Sequence, residues 1–204
     1  MFAVGHLALG YLTGKATSKP LRVDINIPLL FFASILPDVD LLIPSLHRGP
    51  THSLVIYALF FIPFFILFGK KTIIYFVALS QHALLGDFLA TGGMQGVQLL
   101  WPLTSKWYTT PFYITTLTNV YLEWTFFLLS MALMLKMRDL QKLFEPHPLN
   151  LMLTIPVITI ILPVFFGFPL HAPIGLFIPH LAYLGLLALS ILIDFKAILT
   201  KKTR

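Results

Sequence analysis

The sequence predicts an all-α fold, a polytopic helical membrane protein with about seven transmembrane helices. Three observations predict it. Of the 204 residues, 57% are hydrophobic and only 11% are charged, whereas soluble domains are about 25% charged. Seven apolar segments approach the roughly 20 residues that a helix needs to cross a bilayer. The basic residues also segregate between alternate connections. The seven segments cover residues 2–15, 25–46, 53–68, 72–90, 117–135, 151–166 and 175–195.

Two of these segments are less regular than the others. Residues 2–15 are short for a span, so this helix is expected to be tilted or partial. Residues 151–166 contain Pro156 and Pro163, which favour a kink or a re-entrant segment. Counts of six or eight spans therefore stay open. We interpret residues 1–204 as one integral membrane domain, in which residues 1–103 carry the motifs and residues 104–204 carry none that we recognise.

The basic residues indicate the orientation in the membrane. With alternating helices, twelve of the fourteen Lys and Arg residues fall on one side, and only Arg48 and Lys106 fall on the other. The side with the excess is expected to be cytoplasmic, which places the N-terminus outside and the C-terminus, Arg204, inside. The net charge of +6 is thus explained by topology, and no nucleic-acid partner is expected. The chain has no cysteine, which excludes disulfides and thiolate metal sites.

A group of ionisable residues is predicted at a common depth near the outer face. Ionisable residues within membrane spans are costly and usually line a cavity or pair with one another. Four histidines with several carboxylates and no thiol form a ligand set for a divalent metal, and two metals can cleave phosphoesters. A polar network or an ion path, as in a transporter, is the alternative. The group comprises His6, Asp38, Asp40, His47, Arg48, His52, His82, Asp87 and Glu123.

The segment HRGPTHS, residues 47–53, is expected to form a loop followed by a helix start. Thr51 is a good N-cap, which would place His52 in the first helical turn beside an anion-binding helix end. Arg48 has a planar fork suited to phosphate oxygens. A lipid-headgroup contact or a salt bridge with Asp40 is the alternative for Arg48. Pro37 is expected to disrupt the preceding helix beside Asp38.

Small residues and a glycine-rich loop are predicted to shape the surroundings of this group. His6, Gly10 and Gly14 recur at spacing four, so the first helix can approach its neighbours closely. Residues 91–103 are interpreted as a loop that walls the pocket. Trp101 and Trp107 are interpreted as interfacial aromatic residues.

The motifs resemble a known family. GHLALG, LPDVD, HRGPTHSL and GVQLLWPL occur in this order between residues 5 and 103, half of the chain. Together they resemble the YdjM-like family, described as membrane-bound metal-dependent hydrolases. That pattern is similar to the zinc-dependent phospholipase C and P1 nuclease group, helical enzymes that cleave phosphodiesters with a cluster of zinc ions. The resemblance implies His6, Asp38, His52, His82 and Asp87 as metal ligands.

The resemblance extends to further roles and has two departures. It makes Asp40 and His47 motif positions whose roles stay open. We assign His47 to the metal, and Asp40, Arg48 and Thr51 to catalysis; the alternative for Asp40 is a second metal ligand or the group that orients a histidine. His82 and Asp87 are five apart, not four, so on an ideal helix they would point some 140° apart. A π-bulge at Gly86 could bring them together. The second histidine segment of the soluble enzymes is missing, and Glu123 is its substitute.

The expected function is hydrolysis of a phosphoester by metal-activated water at the outer face, with a phospholipid or polyprenyl phosphate as substrate. One or two divalent ions are expected, zinc first and manganese or magnesium as alternatives. A non-enzymatic metal or ion carrier and a structural membrane protein are the alternative functions. Membrane lipids are the expected partners, and the sequence does not indicate an oligomeric state.

Overall fold

The helices of the protein pack around the first one. The structure is a computed structural model that describes residues 1–43, 46–92 and 95–202, with side chains to residue 198; Arg204, on which the predicted C-terminal orientation depends, lies outside them. The described residues form helices and no strand. The α-helices are α1 (Ala3–Leu21), α2 (Ile27–Ile35), α3 (Leu54–Phe68), α4 (Ile73–Gln81), α5 (Leu117–Lys136), α6 (Asp139–Leu143), α7 (Thr154–Ile161) and α8 (Phe177–Lys202).

Helix α1 is the central element, and it contacts α2, α4, α5, α7 and α8. Its glycines set the packing distances. A Cβ atom on Gly10 would lie 2.2 Å from Ser34 Cβ of α2, and one on Gly14 would lie 2.6 Å from Leu30 Cδ1. A larger residue at Gly10 therefore requires α2 to move, and one at Gly14 requires the Leu30 side chain to move. The predicted close approach of the first helix is therefore confirmed.

Helix α2 is shorter than the predicted second segment. Asn26 caps its start by accepting a hydrogen bond from the Leu29 backbone N–H at 2.9 Å. The α-helix ends after nine residues, and the chain continues as a 3₁₀ helix, Leu36–Leu42, that has Pro37 in its first turn. The predicted helix disruption at Pro37 is confirmed. A nine-residue helix is about 14 Å long, so α2 alone does not cross a hydrocarbon core of about 30 Å.

In the described part of the chain, four stretches are long and apolar enough to cross a membrane: Leu54–Ala90, Leu117–Lys136, Pro148–Phe166 and Ile174–Ile198. The first of them is a helical hairpin. The rings of Phe61 in α3 and Phe76 in α4 lie 4.5 Å apart, whereas a straight helix would separate them by about 22 Å. The chain reverses in the 3₁₀ turn Gly69–Thr72, where Gly69 has a φ of 61°. The count of seven spans remains a prediction.

A buried carboxylate fastens α1 to α6 at the lysine-rich end of the molecule. Asp139 has no exposed surface, and it accepts a hydrogen bond from Tyr11 Oη at 2.8 Å. Lys15 Nζ lies 2.5 Å and Lys142 Nζ 3.1 Å from its oxygens. Burial opposes ionisation of Asp139, but the hydrogen bonds from Lys15, Tyr11 and Lys142 outweigh it and hold the pKa of this carboxyl below its ordinary value.

We expect Asp139→Asn to destabilise the protein by about 3–5 kcal/mol, because it leaves the largely buried Lys15 without its anion. Lys142→Ala is the matched control and should cost less than about 1 kcal/mol, because Lys142 is half exposed. The folded-state pKa is depressed, so the stabilisation is full above the ordinary value of 3.8 and is lost as the pH falls through the folded value. Thermal unfolding of both variants at neutral and acidic pH measures this; equal midpoints for the two variants would contradict it.

Candidate metal centre

Histidines and aspartates from four parts of the chain meet near the start of α1. His6 comes from the first turns of α1, and the aspartates of LPDVD come from the 3₁₀ helix after α2. The loop that leads into α3 supplies two histidines, and the turn after α4 supplies a further histidine and an aspartate. His6, Asp40, His52, His82 and Asp87 are buried, whereas Asp38, His47 and Thr51 are partly exposed.

A π-helical turn brings His82 and Asp87 to one side. Residues His82–Asp87 form this turn directly after α4, and His82 Nε2 lies 3.8 Å from Asp87 Oδ2. The expected π-bulge is therefore confirmed. Gly86 has a second role in this turn, because a Cβ atom there would lie 2.2 Å from Cε1 of His6. The glycine lets the His6 ring lie directly against the turn.

Asp38, His52, His82 and Asp87 form the first candidate metal group. Each offers one ligand atom, and the four atoms lie within 4.8 Å of one another. His82 Nε2 is 3.3 Å from Asp38 Oδ1, and His52 Nε2 is 2.9 Å from Asp87 Oδ2. Two imidazoles and two carboxylates match a four-coordinate zinc site in type and number.

In His52 and His82, the ring nitrogen Nδ1 contacts an oxygen of another residue. His82 Nδ1 lies 2.8 Å from the carbonyl oxygen of Ser34, and His52 Nδ1 lies 3.2 Å from Asp40 Oδ2. Metal-binding histidines usually donate their second ring N–H to a carbonyl or carboxylate in this way. Both Nε2 atoms and Asp87 Oδ2 are buried. Although they lie close to one another, they are not aligned for a hydrogen bond with any residue that the structure describes. This donor set therefore fits a divalent metal ion.

A second candidate group overlaps the first. It consists of Asp38, Asp40, His47 and His52, again with ligand atoms within 4.8 Å. Asp40 is engaged from three sides, by His47 Nδ1 at 2.8 Å, by the Thr51 hydroxyl and by His52 Nδ1. Asp40 is not a member of the first group, but it contacts His52 Nδ1 and can orient that ring toward the first group. Asp38 and His52 belong to both groups. A second ion held by the second group would therefore lie beside the first.

Thr51 does not cap α3, and this corrects the prediction. Helix α3 begins at Leu54, and Ser53 is its cap, accepting from the backbone N–H groups of Val55 and Ile56. Residues Pro50–His52 form a 3₁₀ turn before the cap. His52 therefore lies before the helix and not in its first turn. The Thr51 hydroxyl is left to donate to Asp40.

His6 and Arg48 flank Asp87. The His6 ring stacks on His82 with centroids 3.7 Å apart, and its Nε2 lies 3.3 Å from Asp87 Oδ1. Arg48 is buried, with Nε 3.4 Å from Asp87 Oδ2 and Nη2 3.5 Å from Oδ1. The structure thus pairs Arg48 with Asp87, whereas the sequence analysis named Asp40 as the alternative partner. His6 belongs to neither candidate group but lies beside the first.

Glu123 lies in neither group, and its oxygens have other partners. They accept hydrogen bonds from the backbone N–H groups of Phe2 and Gly5, at 2.8 and 3.0 Å, and from Asn119 Nδ2 at 2.8 Å. Glu123 therefore holds the start of α1 against α5. Glu123 is thus linked to the centre through α1, and it is not one of the residues of either candidate group.

The loop after the π-helical turn packs on the HRGPTHS segment. The backbone N–H of Gln98 donates to the Arg48 carbonyl, and the N–H of Leu54 donates to the Leu99 carbonyl, both at 2.9 Å. The Ser53 hydroxyl donates to the Trp101 carbonyl. The described part of residues 91–103 therefore covers the segment that carries Arg48 and His52, as the loop interpretation expected; Gly93 and Met94 lie outside the described residues.

Sequence reasoning missed two contributors. Ser34 acts through its backbone carbonyl, which no sequence pattern indicates. Tyr57 is buried in α3, and its hydroxyl makes no hydrogen bond within the described part of the chain. It is the one aromatic hydroxyl in the apolar run of α3, five residues after His52. A polar hydroxyl within an apolar run was the available signal.

Comparisons with known proteins agree with the motifs. No curated protein and no solved structure matches the chain. A family model does match it, over residues 1–195, and its description is "YdjM inner membrane protein". The match extends well beyond the four motifs and covers most of α8. The chain therefore belongs to the YdjM inner membrane protein family.

Proposed function

We propose that this protein is a membrane-embedded, metal-dependent hydrolase that cleaves a phosphoester of a membrane lipid, such as a phospholipid or a polyprenyl phosphate. One observation carries the proposal. His52 and His82 each have one ring nitrogen held by an oxygen, while the other faces the buried Asp87 and, in His82, also the partly exposed Asp38. Imidazoles that are oriented by an oxygen and face carboxylates in this way are typical of protein metal sites.

Asp38, His52, His82 and Asp87 would hold the first ion, which we propose to be zinc; manganese and magnesium are alternatives because carboxylates also accept them. Asp40 and His47 would complete a site for a second ion. When bound, such ions polarise a phosphoryl oxygen and make water acidic enough to attack at neutral pH. His6, next to Asp87, is the further ligand position that the family pattern implies.

The surrounding residues have roles that follow from their positions. Arg48 places a buried cation beside Asp87, with Nε and Nη2 toward that carboxylate, and we propose that its guanidinium also binds a phosphate oxygen. Asp40 orients His52 and is linked to the partly exposed His47. With a single ion bound, a proton taken up at Asp40 would have His47 as its route toward the surface. Thr51 fixes the Asp40 carboxylate in this orientation.

The placement of the basic residues supports an outward-facing site. In α1, His6 lies near the start, and Lys15 and Lys19 lie in the second half. Lys70 and Lys71 precede α4, whereas His82 follows its end. The proposed centre and the basic residues thus lie at opposite ends of these helices. An excess of basic residues marks the cytoplasmic side, so we propose an extracytoplasmic site.

The first prediction concerns metal content. Purified protein should retain about one or two zinc ions per chain, the number that the two overlapping groups can hold. His52→Ala should lose tightly bound metal, because His52 belongs to both groups. His147→Ala is the control, since His147 is exposed and lies in the connection after α6. Elemental analysis after dialysis measures this; less than one metal per chain in the unaltered protein would contradict it.

The second prediction concerns activity. Asp38→Ala and His52→Ala should abolish hydrolysis of a panel of lipid phosphoesters, and Asp40→Asn should reduce it by about 10–100-fold by disturbing the orientation of His52. Arg48→Lys keeps the charge but loses the fork, and it should also reduce hydrolysis. Released phosphate or lipid measures the rates. Stoichiometric metal without hydrolysis of any substrate would favour the metal carrier instead.

The third prediction concerns topology. The chain has no native cysteine, so single cysteines report sidedness cleanly. Lys106→Cys should react with a membrane-impermeant thiol reagent in intact cells, because Lys106 is exposed and assigned outside. Lys70→Cys, also exposed, should react only after permeabilisation. The reverse pattern would place the site in the cytoplasm, and a reporter fused after Arg204 gives an independent check.

A further inference from the structure

An apolar groove opens beside the metal centre, between α3, α4 and the 3₁₀ helix Leu36–Leu42. Its volume is about 320 Å³, within the range of roughly 300–1,000 Å³ that is usual for small-ligand pockets. Leu36, Ile56, Phe60 and Leu79 contribute apolar walls. Such walls suit a hydrocarbon chain, because a sugar or a nucleotide would leave its polar groups without partners there.

The inner end of the groove is part of the metal centre. Asp40 and Thr51 line the groove together with the apolar residues, and the Thr51 hydroxyl donates to Asp40. The groove and the second candidate metal group therefore share a wall. A ligand that fills the groove brings one end to Asp40, so this end is expected to be polar and the remainder apolar.

Tyr57 provides a second, independent indication of a polar atom at this end. Its side chain lines the groove and is only 5% exposed. Its hydroxyl makes no hydrogen bond with any residue that the structure describes, whereas buried tyrosine hydroxyls usually find a partner. This hydroxyl is a donor suited to an ester or phosphate oxygen of a ligand in the groove.

The outer end of the groove faces the bilayer. Val39 and Phe60 line it and are 37% and 61% exposed. Phe60 continues into the exposed apolar surface of α3 that includes Ile62 and Ile66. A membrane protein presents such a surface to lipid, so a hydrocarbon chain can enter the groove sideways without crossing water.

We propose that this groove binds one hydrocarbon chain of the substrate, whose phosphate lies at the metal centre, and that the Tyr57 hydroxyl donates to an oxygen between chain and phosphate. The assignment of the headgroup rests on the proposed function. Ile56, Tyr57 and Leu79 become determinants of chain binding.

The experiment uses metal-stripped full-length protein in phosphatidylcholine nanodiscs and dodecyl phosphate with a diazirine in its chain. After photolysis, label should concentrate on residues 54–60 and 79 over residues 62–68 of the lipid-facing surface. Ile56→Phe fills the groove and should reduce this labelling, whereas the matched control Ile62→Phe, on the same helix but outside the groove, should not. Tyr57→Phe should reduce it by about two- to tenfold, the worth of one hydrogen bond.

Two results would overturn the proposal. One is label spread evenly along α3 and equally affected by Ile56→Phe and Ile62→Phe, provided that both variants unfold at the temperature of the unaltered protein. The other is groove labelling that Tyr57→Phe leaves unchanged. Because the binding assay contains no metal, it is independent of hydrolysis. Retained groove labelling without any hydrolysis would contradict the proposed reaction alone, and hydrolysis without groove labelling would contradict the groove alone.

Discussion

The burial of Asp87 is the constraint on which the rest of the site depends. A carboxylate inside an apolar helical protein must be paired or hydrogen-bonded, because its desolvation is otherwise too costly. Asp87 is 2% exposed, and nitrogens of His6, His52 and Arg48 lie within 3.4 Å of its oxygens. Those residues come from α1 and from the segment before α3. Both must therefore meet at the π-helical turn for the carboxylate to be tolerated.

Small residues make this meeting possible. Gly86 leaves room for the His6 ring, and Gly10 lets α1 approach Ser34 of α2. The same approach places the Ser34 carbonyl against His82 Nδ1. The close packing of α1 on α2 is therefore linked to the orientation of the His82 ring. A substitution that pushed α1 outward would displace His6 and remove the support of His82 together.

The sequence predicted those parts of the site that depend on local geometry. The five-residue spacing of His82 and Asp87, with Gly86 between them, left a π-helical turn as one of two outcomes, and the structure shows that turn. The prediction of Thr51 as the cap of α3 was wrong because Thr51 and Ser53 are both good caps. The choice depends on Asp40, which binds Thr51, and on Trp101, whose carbonyl binds Ser53. Contacts between distant parts of the chain decide this, and no local pattern contains them.

Helix α1 is anchored to neighbouring helices at both of its ends. At one end, Asp139 ties Tyr11 and Lys15 to α6; at the other, Glu123 holds the backbone of the first turn against α5. The helix is therefore held at both of its ends. His6 lies between them, with both ring nitrogens buried and without a hydrogen bond to the described residues. Rigid support of this kind is what a metal centre requires, because ligand geometry is maintained by the elements that carry the ligands. The sequence could indicate His6 as a ligand position, but only the structure shows that its helix is held in place at both ends.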